Sequence, residues 1–97
     1  MSEVELTFTK EFKEGVDHQV AWLEGEHPTW IPKLERGLVE AFELLANFPR
    51  AGAETAAPPI RKLLLHRLPF VIWYVFDEER RRVELLRLFH ARQRRHP

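Results

Sequence analysis

Cysteine is absent from this 97-residue chain, which removes disulfides, thiolate zinc sites and cysteine nucleophiles together and agrees with a reducing compartment. Serine occurs only at Ser2, so a serine nucleophile is excluded in practice. The four glycines, Gly15, Gly25, Gly37 and Gly52, are dispersed and make no phosphate-cradling loop. His18, His27, His66 and His96 show no spacing that would set a metal site, so neither metal nor cofactor is expected. The longest apolar run, Leu68 to Phe76, is far below the roughly 18 residues that cross a bilayer. The N-terminus, Met1-Ser2-Glu3-Val4-Glu5, is acidic where a secretory signal would be basic and then apolar, so a cytoplasmic location is expected.

The length suits one domain, residues 1–97, with little room for a second core. The net charge is zero, but the zero hides a division. Residues 1–59 hold Lys10, Lys13, Lys33, Arg36 and Arg50 against eleven acids, 5 − 11 = −6. Residues 60–97 hold ten Lys or Arg against Asp77, Glu78, Glu79 and Glu84, 10 − 4 = +6. Such polarity suits one face to anionic partners, or else places acidic helices against a basic sheet.

Val4, Leu6 and Phe8 alternate with Glu5 and Thr7, the period of a half-buried strand. Thr9 is a candidate N-cap for a helix from Lys10 to about Leu23, whose apolar stripe is Phe12, Val16, Val20 and Leu23. Gly25-Glu26-His27-Pro28 breaks it. A second stripe, Ile31, Leu34, Leu38, Ala41, Phe42, Leu45 and Phe48, predicts a helix ending near Asn47, before Pro49. The short connection makes the two a hairpin that covers one face of a sheet. Gly15 and Gly37, inside these helices, imply close packing where the helices cross. Trp22, Trp30 and Trp73 are read as core or groove residues rather than stacking platforms. Residues 49–59, with Pro49, Gly52, Pro58 and Pro59, have no period and are expected to form a mobile loop.

Three apolar runs follow, Ile60–Leu65, Leu68–Phe76 and Val83–Arg92, separated by charged turns, and predict an antiparallel meander with the first strand added at its edge. Phe70, Ile72, Tyr74 and Phe76 point one way, and Val71, Trp73 and Val75 the other. Both faces are apolar, so one is left for a partner, or for partial closure by the loop and C-terminus. In the last strand, alternation puts Leu86, Leu88 and His90 on one face and Leu85, Arg87 and Phe89 on the other. Arg87 must reach water, pair with an acid or face a site. His90 is either a backbone donor at a strand end or an acid–base group.

The runs Leu68-Pro69-Phe70-Val71-Ile72-Trp73-Tyr74 and Val83-Glu84-Leu85-Leu86-Arg87-Leu88-Phe89-His90-Ala91-Arg92 resemble the RelE/ParE toxin superfamily. The resemblance extends to size, to the α+β succession β-α-α-β-β-β, to Arg61 opening the second strand, and to Pro69 and Phe70 opening the third. Tyr74 within that strand, and His90 followed by Arg92, Arg94 and Arg95, match as well.

The resemblance implies a type II toxin neutralised by a cognate antitoxin, ParD-like or RelB-like, that folds over the apolar sheet and the groove beside the helix hairpin. It also implies a place in plasmid stabilisation and growth inhibition. The ParE-like branch poisons DNA gyrase without being an enzyme. The RelE-like branch cuts messenger RNA in the ribosomal A site. Cutting would use His90 as acid or base, with Arg61, Arg67, Arg87 and Arg92 on phosphates. Tyr74 is the only tyrosine, so the tyrosine that RelE-like enzymes often carry near the C-terminus is missing, and the acidic helices would repel ribosomal RNA. The ParE-like branch is therefore favoured, with target contacts expected at Arg61, Arg67, Arg87, His90, Arg92, Arg94 and Arg95. The alternatives are the interferase and an inactive relative acting as a plain binding module.

Overall fold

The computed structural model describes residues 4–93. In chain order the elements are β1 (Glu5–Phe8), α1 (Lys10–Glu26), a 3-10 turn (Pro28–Trp30), α2 (Ile31–Asn47) and β2 (Ala53–Glu54). Strands β3 (Ile60–Leu64), β4 (Phe70–Asp77) and β5 (Arg82–His90) and a closing 3-10 turn (Ala91–Gln93) complete them. The sheet order is β1-β5-β4-β3-β2, and β1 lies parallel to β5 at one edge as expected. No helix among the described residues is long and apolar enough to cross a membrane.

Thr9 does what its position predicts: its Oγ1 accepts the Phe12 N–H at 3.0 Å and starts α1. The same hydroxyl donates to the Leu86 carbonyl at 2.8 Å, so the cap also ties the helix to β5. The helix runs past Gly25, around which there is open space, and stops before Pro28, which disfavours helical geometry in the residue preceding it. On α2 the buried residues Leu34, Gly37, Leu38, Ala41 and Leu45 recur at three and four, which puts one stripe against the sheet. The rings of Phe12, near the start of α1, and Phe42, near the end of α2, lie 6.3 Å apart, as an antiparallel hairpin requires. Phe8 packs on both, at 5.7 and 5.3 Å.

Two details of the sheet correct the reading of the sequence. Trp73 pairs with Arg87 and Tyr74 with Leu85, which leaves Leu86 as a β-bulge without a cross-strand partner. The extra residue reverses the alternation, so Val83 and Leu85 turn to the same face as Leu88 and His90, and Arg87 and Phe89 to the other. Strict alternation had put Leu85 with Arg87. The contacts of the helix glycines also differ from expectation. A Cβ on Gly15 would lie 2.5 Å from the Leu88 carbonyl oxygen, so the close approach is between α1 and β5 rather than between helices. Gly37 faces the side chains of Leu65 and Leu68.

The segment expected to be a mobile loop is pinned. It contains β2, which pairs antiparallel with β3, and it closes over Tyr74. The fully buried Tyr74 hydroxyl accepts the Gly52 N–H at 2.8 Å and donates to the Pro49 carbonyl at 2.9 Å. A Cβ on Gly52 would meet Tyr74 Cε1 at 2.6 Å, so only glycine admits the ring so close to the backbone. Burial pushes the Tyr74 phenol above its ordinary value of 10.0, partly offset by the Gly52 N–H and by Arg61.

Gly15→Ala, which raises helix propensity by about 1 kcal/mol, is expected instead to lower unfolding free energy by about 1–3 kcal/mol through overpacking against Leu88, read by urea denaturation. A more stable variant would contradict the close approach. Tyr74→Phe is expected to cost about 1–3 kcal/mol by leaving the Gly52 and Pro49 groups unpaired. The unfolded chain releases the phenol proton near 10.0 while the folded chain retains it. Stability is therefore held below that pH and lost as pH rises through the elevated folded value. Thermal melts of Tyr74→Phe should show a shallower alkaline decline than the parent, and identical declines would remove the phenol as the cause.

Candidate functional site

Residues singled out from the sequence fall into three places. Arg61 lies on β3 opposite Tyr74, and its Nη1 donates to the Gly52 carbonyl at 2.8 Å and to the Arg50 carbonyl at 3.4 Å. Its guanidinium thus shares with Tyr74 the task of holding residues 50–52. Tyr74 is four positions along β4 from Phe70, the residue that pairs with His90, a separation of about 13 Å at the usual strand rise.

Arg87 projects from the sheet face away from the core, opposite Trp73. Trp73 and Phe89 stack edge to face there at 4.9 Å, and are only 8% and 6% exposed although neither belongs to the core under the helices. Around this pair the face is uneven, with Leu64 63% exposed and Val71 and Val75 half-buried. Toward α1, Arg87 borders a cleft of about 240 Å³ that it shares with Glu11, Glu14 and His18. Two carboxylates beside Arg87 lower the potential that a phosphate would meet.

His90 closes β5 on the core side. Its ring lies 5.5 Å from Phe70 and 5.9 Å from Trp22, both edge to face. The chain of rings continues from Trp22 to His27 at 6.0 Å, and His27 stacks on Trp30 at 5.2 Å. Trp22, 42% exposed, and Trp30, packed against the core, thus flank two histidines. His90 Nδ1 accepts the Arg92 N–H at 3.0 Å and so carries no proton itself. Burial first, and the Arg92 charge second, hold the imidazole below the ordinary histidine value of 6.5. The Ala91 N–H donates to the Pro69 carbonyl at 2.8 Å, which brings the end of β5 to the β3–β4 turn that carries Arg67.

The structure therefore gathers Arg67, His90 and Arg92 at one end of the sheet, while Arg61 lies farther along the strands and Arg87 on the opposite face. Arg94 and Arg95 lie outside the described residues. The sequence reading missed Phe48, 65% exposed at the end of α2 in a cleft it shares with Arg50 and Arg81. Their guanidiniums lie 5.3 and 5.4 Å from the Phe76 ring. A phenylalanine directly before proline at a helix end was the available signal, obscured because Phe48 also fits the apolar stripe.

Comparison with known proteins matches residues 6–95 to a family model described as the ParE toxin of the type II toxin–antitoxin system parDE. No curated protein matches significantly. Among solved structures, a chromosomal ParDE toxin–antitoxin system from P. aeruginosa superposes with a TM-score of 0.70 at 21% identity, over 91% of this chain and 96% of that one. The RelBE2 toxin–antitoxin complex of Mycobacterium tuberculosis gives 0.63 at 18% identity, over 92% and 99%. The isolated E. coli RelE toxin gives 0.60 at 20%, over 91% and 84%.

His90 is expected to titrate below 6.5 when its ring protons are followed by NMR. Because the folded value is the depressed one, its contribution to stability is present above 6.5 and lost as pH falls through the folded value. Titration above 6.5 would mean that the ring is neither desolvated nor near Arg92.

Proposed function

This chain belongs to the ParE toxin family of type II toxin–antitoxin systems, and from that premise we propose that it acts on DNA gyrase in the cytoplasm, held inactive by a cognate antitoxin. The observation that carries the choice of target is that Arg61 and Arg87, two of the cations an interferase would need, lie away from His90. In-line attack by a ribose hydroxyl requires a base, a cation on the scissile phosphate and an acid, all within hydrogen-bond reach of one substrate. Here His90 and Arg87 leave β5 on opposite faces, Arg61 is engaged with loop carbonyls, and Arg87 sits beside Glu11 and Glu14. The acidic helices point the same way, since they would repel ribosomal RNA.

In this reading the target meets the cationic end of the sheet through Arg67, His90 and Arg92, and Arg94 and Arg95 contribute further target contacts. Arg61 contributes by holding residues 50–52, and Arg87 contacts the partner from the open face. In this reading the antitoxin covers that face, where Leu64 is exposed and Val71 and Val75 are half-buried. The proximity of His90, Arg92 and Arg67 favours a second reading, messenger RNA cleavage, in which His90 is the acid–base group.

The deciding experiment pairs gyrase supercoiling, with detection of cleavage complexes, against messenger RNA cleavage on programmed ribosomes. Trapped gyrase with intact RNA is the expected result, with trapping reduced at least about tenfold in an Arg67→Ala, Arg92→Ala double variant. Codon-phased RNA cuts that vanish in His90→Ala would establish the second reading. Silence in both assays, without growth arrest on induced expression, would leave a plain binding module.

A further inference from the structure

The β3–β4 turn sets a second group of cations against α2. Leu65 and Leu68 are buried, and both lie against Gly37, where a Cβ would be 3.1 Å from Leu68 Cδ1 and 3.7 Å from Leu65 Cδ1. The turn is closed by bonds from the Leu65 N–H to the Phe70 carbonyl at 2.9 Å and from the Leu68 N–H to the Leu65 carbonyl at 3.3 Å. The two leucines thus fix on the helix a turn whose intervening residues, His66 and Arg67, are exposed. Across from them α2 presents Lys33, Arg36 and Glu40, and the concavity between has a volume of about 330 Å³, at the small end of the range for ligand sites.

Charge and strain both mark this cleft. Its lining holds three permanent cations, Lys33, Arg36 and Arg67, with Glu40 as the one acid, and among the described residues none of the three cations makes a salt bridge. Arg67 has φ of 60°, the left-handed region where glycine would be easier, so a long cation is held in a costly backbone conformation at the mouth of the cleft. Cations without a salt bridge that line a concave surface focus a positive potential, Lys33 standing also over the Trp30 ring at 5.8 Å, and arginine forks match phosphate oxygens in geometry as well as charge.

We propose that this cleft is a phosphate-binding site, in which Arg36 on the helix and Arg67 on the turn hold phosphate oxygens from two sides and Lys33 and His66 add charge and a donor at the rim. Phosphate can come from a free nucleotide or from a nucleic-acid strand, and the same two arginines would hold either. The site stands apart from the choice between gyrase and ribosome, because phosphate affinity is measured on the chain alone.

The test is equilibrium binding of the purified full chain to inorganic pyrophosphate and, separately, to a short DNA duplex, by calorimetry at fixed salt. The variants are Arg36→Gln and Arg67→Gly, with Arg80→Gln, a cation paired to Asp77 in the β4–β5 hairpin, as control. Pyrophosphate binding that weakens about tenfold in each of the first two variants and is unchanged in the control is the expected result, and identifies a small phosphorylated ligand. Duplex binding with the same pattern and no pyrophosphate binding identifies a nucleic-acid strand. Arg67→Gly relieves the left-handed strain, so its melting temperature should hold or rise while affinity falls, which separates lost binding from lost folding. Absence of binding to both probes, or equal weakening in all three variants, would overturn the proposal.

Discussion

The hydroxyl of Thr9 holds together the three elements on which the rest of the molecule depends. It accepts from the first turn of α1 and donates to the Leu86 carbonyl, while the Thr9 N–H donates to the Leu85 carbonyl at 3.1 Å and continues the β1–β5 ladder. Leu86 is the bulged residue, and its carbonyl accepts from this side chain. Each such bond contributes only about 1 kcal/mol net, but the bulge they hold sets the phase of β5. With it Val83, Leu85 and Leu88 all reach the core and Arg87 reaches the open face. Without it one half of the strand would turn its leucines outward.

Around that constraint the molecule divides its labour by sheet face. One face is closed by α1 and α2, with Gly15 drawn against the β5 backbone. At one end the Tyr74 hydroxyl and the Arg61 guanidinium tie down residues 49–52 through backbone groups alone. On the open face the largely buried rings of Trp73 and Phe89 pack edge to face, with Lys62 and Arg87 paired to Trp73 from the neighbouring strands.

The charge division is only weakly neutralised inside the chain. Among the described residues no acid of α1 or α2 makes a salt bridge to a strand. The ion pair that joins an N-terminal acid to the basic half is Glu5 with Arg82, between neighbouring strands, and such exposed pairs contribute about 1 kcal/mol or less. Compensation of the basic sheet by the acidic helices is thus limited to through-space proximity, as of Glu11 and Glu14 to Arg87. Cations left over at the β3–β4 turn and at the end of β5 are available to partners.

Local periodicity sufficed for much of the fold. Thr9 as cap, α1 from Lys10, α2 to Asn47, the edge position of β1 and the three-stranded meander are all legible in spacing, because each depends on a stripe or alternation within a few residues. The resemblance carried by Arg61, Pro69, Phe70, Tyr74 and His90 reached the family as well. Tertiary structure alone decided the rest. The Leu86 bulge is anchored by Thr9, 77 positions away, which donates to its carbonyl, and no pattern local to β5 encodes that contact. Pinning of residues 49–52 depends on a buried hydroxyl more than twenty residues downstream, and the meeting of Arg36 with Arg67 around one cleft on a turn docked at Gly37. Period fixes which way a side chain points while the strand stays regular, but which charges meet is set by contacts between distant segments, and these the linear pattern does not contain.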